Sequence, residues 1–178
     1  VAIRTFELFY TNRFGQEIWR EPRGTDAGYD VPQLSVHRGH LQGVIHQAAR
    51  ARLGEARIHT GHRLGAFTQD DGGVTAYFFD RTGAHRHTAR GDVLIGADGI
   101  HSKVREALYP NEGPPKYSGI NMWRGVTRWK PFLSGASMIR VGWHHPAKLL
   151  IYPIRNNVDA EGRQLVNWVC DIETPQYQ

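Results

Sequence analysis

The sequence predicts a mixed α/β (α+β) fold, with few helices and many short strands. Three observations carry this. Between Arg38 and Leu53 apolar residues recur at Leu41, Val44, Ile45, Ala48, Ala49 and Leu53, the one-sided spacing of an amphipathic helix. From residue 56 to residue 90, short alternating runs are separated by Asp71-Gly72-Gly73 and Thr82-Gly83, which is hairpin chemistry. Beyond Pro110, four more strand-like runs follow with no helical pattern among them.

The elements follow in chain order. Thr5 to Tyr10 and Gln16 to Arg20 alternate around Gly15 and read as a hairpin, ended by Glu21-Pro22 and Gly24. Residues 24–33, GTDAGYDVPQ, form a turn-rich connection. The helix over 38–53 has Gly54 where a C-cap belongs. Next come strand candidates at Ala56 to His59, His62 to Gln69, Val74 to Phe79 and Ala84 to Arg90, a small antiparallel ribbon. Val93 to Ile95 is apolar without alternation, as expected of a parallel strand covered on both faces, and Ser102 to Leu108 makes a helix directly after it. The runs GINMWRGVTRW, GASMIRVGW, LLIYPI and LVNWVCDIE are four strands of a second sheet.

Composition narrows the function classes. A chain of 178 residues with 40% hydrophobic content can bury a core, which excludes a disordered chain. The single cysteine, Cys170, excludes an intramolecular disulfide and points to a reducing compartment, the cytoplasm. Cys170 lies in an alternating run with no neighbouring base, so it reads as packing and not as a nucleophile. No apolar run approaches the roughly 18 residues that span a bilayer, so no membrane partner is expected. The net charge of +5 comes from arginines scattered from Arg4 to Arg163, a distribution that argues against nucleic acid. Histidines come in close pairs (His37 and His40, His59 and His62, His85 and His87, His144 and His145), but there is no HExxH or Cys/His array, and no metal is expected.

The stretch DVLIGADGIHSKVREAL, beginning at Asp92, places a carboxylate, Asp98, where the apolar run meets the second helix. A buried strand that ends in small residues and enters a helix is the geometry in which α/β folds bind nucleotides. Gly96 and Gly99 permit close backbone approach there, and a helix N-terminus attracts phosphate. A carboxylate repels phosphate. Asp98 therefore either accepts hydrogen bonds from ribose or ribityl hydroxyls, water or backbone N–H groups, or organises the turn itself.

This segment resembles the Asp-Gly motif of FAD-dependent aromatic hydroxylases, the single-component flavoprotein monooxygenases with the para-hydroxybenzoate hydroxylase fold. Asp98, Gly99, Ser102 and Arg105 match the motif as it stands here. In that family the segment lies near the FAD pyrophosphate and is implicated in FAD and NAD(P)H binding. A second stretch, SVHRGHLQGVIHQAA, resembles the segment in which an arginine opens a helix and reaches the flavin, and Arg38 takes that place. By itself Arg38 reads as a solvated helix-start residue, and its family-like separation from Asp98 supports the cofactor role. A further carry-over places Leu64, in HTGHRLGAF, beside the adenine.

The resemblance implies a partial FAD-binding domain with an antiparallel ribbon over 34–112. It also implies part of a substrate-binding β-sheet domain over 113–178, with residues 1–33 as a hairpin and connection of the substrate sheet. The implied cofactor is FAD, with NAD(P)H as co-substrate and O₂ as oxidant for hydroxylation of a small aromatic molecule. EIWREPRG, SVHRGHLQ, GADGIHSKVR, NMWRGVT and LVNWVC are most similar to the phenazine-hydroxylating members, which implies a phenazine-carboxylate-like substrate. Members that hydroxylate salicylate or 3-hydroxybenzoate are looser relatives, and a non-catalytic β-rich binding module is the alternative class.

Trp123, Arg124 and Tyr152 are the candidates for substrate contact. Trp123 and Tyr152 also read as sheet packing, and Arg124 either pairs with a carboxylate or faces solvent. No residue is assigned a catalytic role, because the flavin carries the chemistry. The family's opening GxGxxG unit and its late Gly-Asp motif have no match here. The expectation is therefore an internal segment of a protein of about twice this length or more. Such a segment is expected to be inactive by itself, to hold FAD weakly, to expose the faces of Val93 to Ile95 and to self-associate.

Overall fold

The computed structural model describes residues 2–176. Strands β1 (Ala2–Thr5), β2 (Glu7–Thr11), β3 (Glu17–Pro22) and β4 (Gln33–Val36) precede helix α1 (Arg38–Leu53). Strands β5 (Arg63–Asp70), β6 (Gly73–Phe79) and β7 (His85–Gly91) lead to helix α2 (Lys103–Leu108). Strands β8 (Ile120–Trp129), β9 (Ser137–Val141), β10 (Ala147–Arg155) and β11 (Gln164–Glu173) follow. The chain divides into two compact units, one made of the segments up to Ala48 and from Tyr117 onwards, the other of Ala49–Lys116. No helix among the described residues is long and apolar enough to cross a membrane.

The first unit is built on a six-stranded sheet in the order β3-β2-β9-β10-β11-β8. Among its described strands β2 and β9 pair in parallel and the other neighbours are antiparallel. Its core is Leu8, Phe9, Ile154, Val166 and Val169. Two buried polar groups inside it are matched: the Ser137 hydroxyl donates to Glu7, and Gln164 Nε2 donates to the Gly135 carbonyl at 2.6 Å. A separate ribbon of β1 and β4 lies against β10. Ile3 and Thr5 turn inwards from β1 while Arg4 turns out, and the Thr5 and Ser35 hydroxyls meet at 2.6 Å inside the ribbon.

The hairpin expected over Thr5 to Tyr10 and Gln16 to Arg20 is therefore shorter at its start. Thr5 belongs to β1 and pairs with Gln33, and the hairpin begins at Glu7. β4 begins at Gln33, the last residue of the turn-rich connection, and runs on to Val36, because it supplies the ladder partner that buries Ile3 and Thr5.

Helix α1 spans the expected range and ends as expected, with Gly54 at φ +80° and its N–H donating to the Arg50 carbonyl at 2.9 Å. Its apolar stripe is uncovered: Leu41, Val44, Ile45 and Leu53 are all exposed.

The second unit carries the three-stranded antiparallel sheet β5-β6-β7. Both expected turns form, each organised by an aspartate. Asp70 Oδ1 accepts from the Gly72 N–H at 2.8 Å, and Asp80 Oδ1 accepts from the Thr82 and Ala84 N–H groups at 2.8 and 3.1 Å. The strand expected at Ala56 to His59 does not form. After Gly54 the backbone closes a 3-10 turn over Glu55–Arg57, and the Ile58 N–H donates to the Glu55 carbonyl. Val93 to Ile95 finds no ladder partner among the described residues, and Val93 and Ile95 are exposed. A strand meant to be covered on both faces needs neighbours on both edges, and without them the run stays irregular.

Candidate functional site

In the first unit, one face of the six-stranded sheet carries a polar row. Tyr152 on β10 pairs with Asn167 on β11, which pairs with Val126 on β8, and residues in direct register share a face. Arg124 stands two residues from Val126 on the same face, opposite Val169. Together with Arg38 and Leu41 at the start of α1 and with Met138 on β9, these side chains line a cavity of about 490 Å³. The lining includes two arginines and His37 but no carboxylate. The Arg124 guanidinium donates to Met122 Sδ at 3.4 Å, a weak acceptor that leaves most of its donors free for a ligand.

The three substrate candidates are thus divided. Arg124 and Tyr152 line this cavity together with Arg38, whereas Trp123 pairs with Cys170 and faces the other side of the sheet. That other side holds an apolar hollow of about 570 Å³ between Trp129, Phe132, Ile139, Leu149 and Trp168. The Trp168 ring lies against the backbone of Gly125, where an added Cβ would come within 2.4 Å of it. Asn167 was not among the sequence candidates. Its signal is slight: a polar residue between Leu165 and Val169 on a strand face that continues to Asp171 and Glu173.

In the second unit, Asp98 sits at the entrance to α2. Its Oδ1 accepts from the Ser102 hydroxyl at 2.6 Å and its Oδ2 from the Lys103 N–H at 2.7 Å. Ser102 in turn accepts from the Arg105 N–H at 3.0 Å as the N-cap of the helix. The Ser102 hydroxyl foremost, opposed by desolvation and supported by the Lys103 N–H, holds the Asp98 carboxyl below the usual carboxylate range. Asp98 is therefore ionised at neutral pH and organises the turn. A carboxylate offers about four acceptor sites, so capacity remains for a ligand hydroxyl.

Gly99 adopts φ +81° with open space where a Cβ would be, so backbone conformation and not crowding calls for glycine. Gly96 is the reverse case: a Cβ there would lie 2.8 Å from Val104 Cβ, so the backbone packs directly on α2. Arg105 is tied into the same turn, donating to the Ile100 carbonyl at 2.6 Å and pairing with Glu112 at 2.9 Å. Leu64 is half-buried on β5 opposite Phe78, next to a bulge. The rings of His59, His62 and His87 gather with centroids 5.6 to 6.0 Å apart, yet no cluster among the described residues has a metal-holding arrangement.

A family model described as FAD binding domain matches residues 27–168. The chain is 38% identical to a phenazine 1,6-dicarboxylic acid hydroxylase of Lysobacter antibioticus, over 95% of this chain and 42% of that protein. It is 33% identical to a salicylate hydroxylase of Pseudomonas putida, over 71% of this chain and 28% of that protein. Among solved structures, the flavin-dependent monooxygenase PieE in complex with FAD and substrate superposes with a TM-score of 0.60 at 20% identity, over 99% of this chain and 32% of that one. The chain thus spans less than half the length of these relatives. The chain has the para-hydroxybenzoate hydroxylase-like fold of these flavin-dependent monooxygenases, and the family match over most of its length shows that it belongs to the FAD binding domain family.

Proposed function

We propose that this chain serves a monooxygenase that uses FAD, NAD(P)H and O₂ to hydroxylate an aromatic ring of the phenazine-carboxylate type. The observation that supports this most is the cavity on the sheet face, where Arg38, Arg124 and Tyr152 offer donors beside Leu41, Val126 and Met138, with no carboxylate among the lining. Such a site suits a flat apolar ring with an anionic substituent. The residues fit the cofactor as well. Asp98 is an ionised acceptor with capacity left for a sugar or ribityl hydroxyl, and the open left-handed turn at Gly99 lets a ligand approach the backbone.

In this reading Arg38, Leu64, Asp98, Gly99 and Arg105 hold FAD, and Arg124 and Tyr152 hold the substrate. When bound, FAD supplies the redox chemistry: one atom of O₂ enters the ring, the other leaves as water, and NAD(P)H provides the electron pair. The protein's share is to fix the ring and exclude water. Arg124 orients the anionic group and the apolar residues beside it desolvate the ring. Trp123, on the opposite face, has no part in this contact.

The test uses the full-length protein with FAD, NAD(P)H and isotope-labelled O₂, offering phenazine-1-carboxylate and salicylate in parallel. The expected product is hydroxylated phenazine-1-carboxylate carrying one labelled oxygen. Turnover of salicylate alone would discard the phenazine assignment, and NAD(P)H oxidation that no aromatic compound stimulates would discard the hydroxylase reading.

A further inference from the structure

The amide of Asn167 is one of two unexplained groups in the lining of the sheet-face cavity, the other being Nδ1 of His37 at the start of α1. The Asn167 amide makes no hydrogen bond to any described side chain, and its Nδ2 is closed off from solvent with no acceptor. Buried donors in folded proteins are almost always matched, so an orphan donor beside a cavity marks the place of an absent acceptor. Its neighbours indicate which acceptor. Tyr152 stands in direct register with Asn167 across β10 and β11. Arg124, opposite Val169, is the diagonal neighbour on β8, about 7 Å away by ordinary sheet geometry and within reach of a long side chain. A neutral donor, a phenol and a guanidinium therefore converge from three strands. With no acidic residue in the lining, the group that satisfies them together is an anion with two oxygens.

We propose that Asn167 is a specificity-determining residue, whose amide donates to the carboxylate of the aromatic ligand beside the Arg124 guanidinium. This rests on the functional reading given above. Rotation about χ2, which is soft in an amide side chain, turns the amino group from its closed position onto the cavity. Arg124 supplies charge and Asn167 supplies direction, so an aromatic ring without a carboxylate gains nothing from either.

The full-length, FAD-loaded protein is titrated with phenazine-1-carboxylate and with unsubstituted phenazine, following the flavin absorbance change. Asn167→Leu removes the donor at similar size, Asn167→Asp sets a negative charge against the carboxylate, and Asn167→Ser retains a smaller donor. FAD content and melting temperature report folding, so loss of one variant leaves the comparison intact. Asn167→Leu is expected to weaken phenazine-1-carboxylate by about 10- to 100-fold, the worth of a hydrogen bond to a charged group. Asn167→Asp is expected to weaken it further, Asn167→Ser less, while phenazine stays within about threefold in all of them. Equal weakening of both ligands would make Asn167 a packing residue and overturn the assignment. So would unchanged affinity for the carboxylate while the wild type still prefers it, an outcome that leaves the functional reading standing. A wild-type protein that binds neither ring would remove both.

Discussion

Asp98 accepts from Ser102 and from the Lys103 N–H, so its charge is used inside the turn whether or not a ligand is present. Its carboxyl titrates below the ordinary range, so the stabilising contribution is complete above about pH 4 and is lost as pH falls through the lower folded value. The melting temperature of Asp98→Ala should accordingly lie below that of the wild type by a constant margin from pH 8 to about pH 5, and the margin should close in more acidic buffer. A margin that widens on acidification would mean that the carboxylate is not held in this way. Asp98, Ser102 and Arg105 were legible in the sequence because their bonds are local, spanning three to five positions. Asn167 was not. Whether it shares a face with Arg124 or with Trp123 depends on the pairing of β11 with β8, which no local pattern reports.

At the scale of elements, the sheets hold unequal shares of the stability. β10 and β11 are paired on both sides through the centre of the six-stranded sheet and carry Ile154, Val166 and Val169 of the core. The run Val93 to Ile95 has no ladder among the described residues. Hydrogen exchange should reflect this, with the amides of 93–97 exchanging fastest and those of β10 and β11 slowest. Protection of 93–97 equal to that of β11 would contradict the description. Helix α1, the β5-β6-β7 ribbon and the four last strands were legible because period and turn chemistry agree in each. β4 was not, since Gln33–Val36 becomes a strand through its distant partner Ala2–Thr5, and the turn after Gly54 outweighed the apolar pattern of Ala56 to His59.

At the scale of the whole molecule, the proposed function draws on residues of both units. The unit with the six-stranded sheet offers a cavity lined by Arg38, Arg124, Tyr152 and Asn167, and the unit with the ribbon offers the Asp98 turn. The family was legible from motifs in both. The position of the cavity was not, because it depends on sheet order. The central claim is that Arg38 and Asp98 serve the same cofactor, and the direct measurement is a fluorescence titration of the full-length apoprotein with FAD. The account predicts one FAD per chain in the wild type and affinity weakened about tenfold or more in both Arg38→Ala and Asp98→Ala, the loss expected when a charged hydrogen-bonding group is removed. A wild-type protein that takes up no FAD, or two variants that bind it as the wild type does, would contradict it.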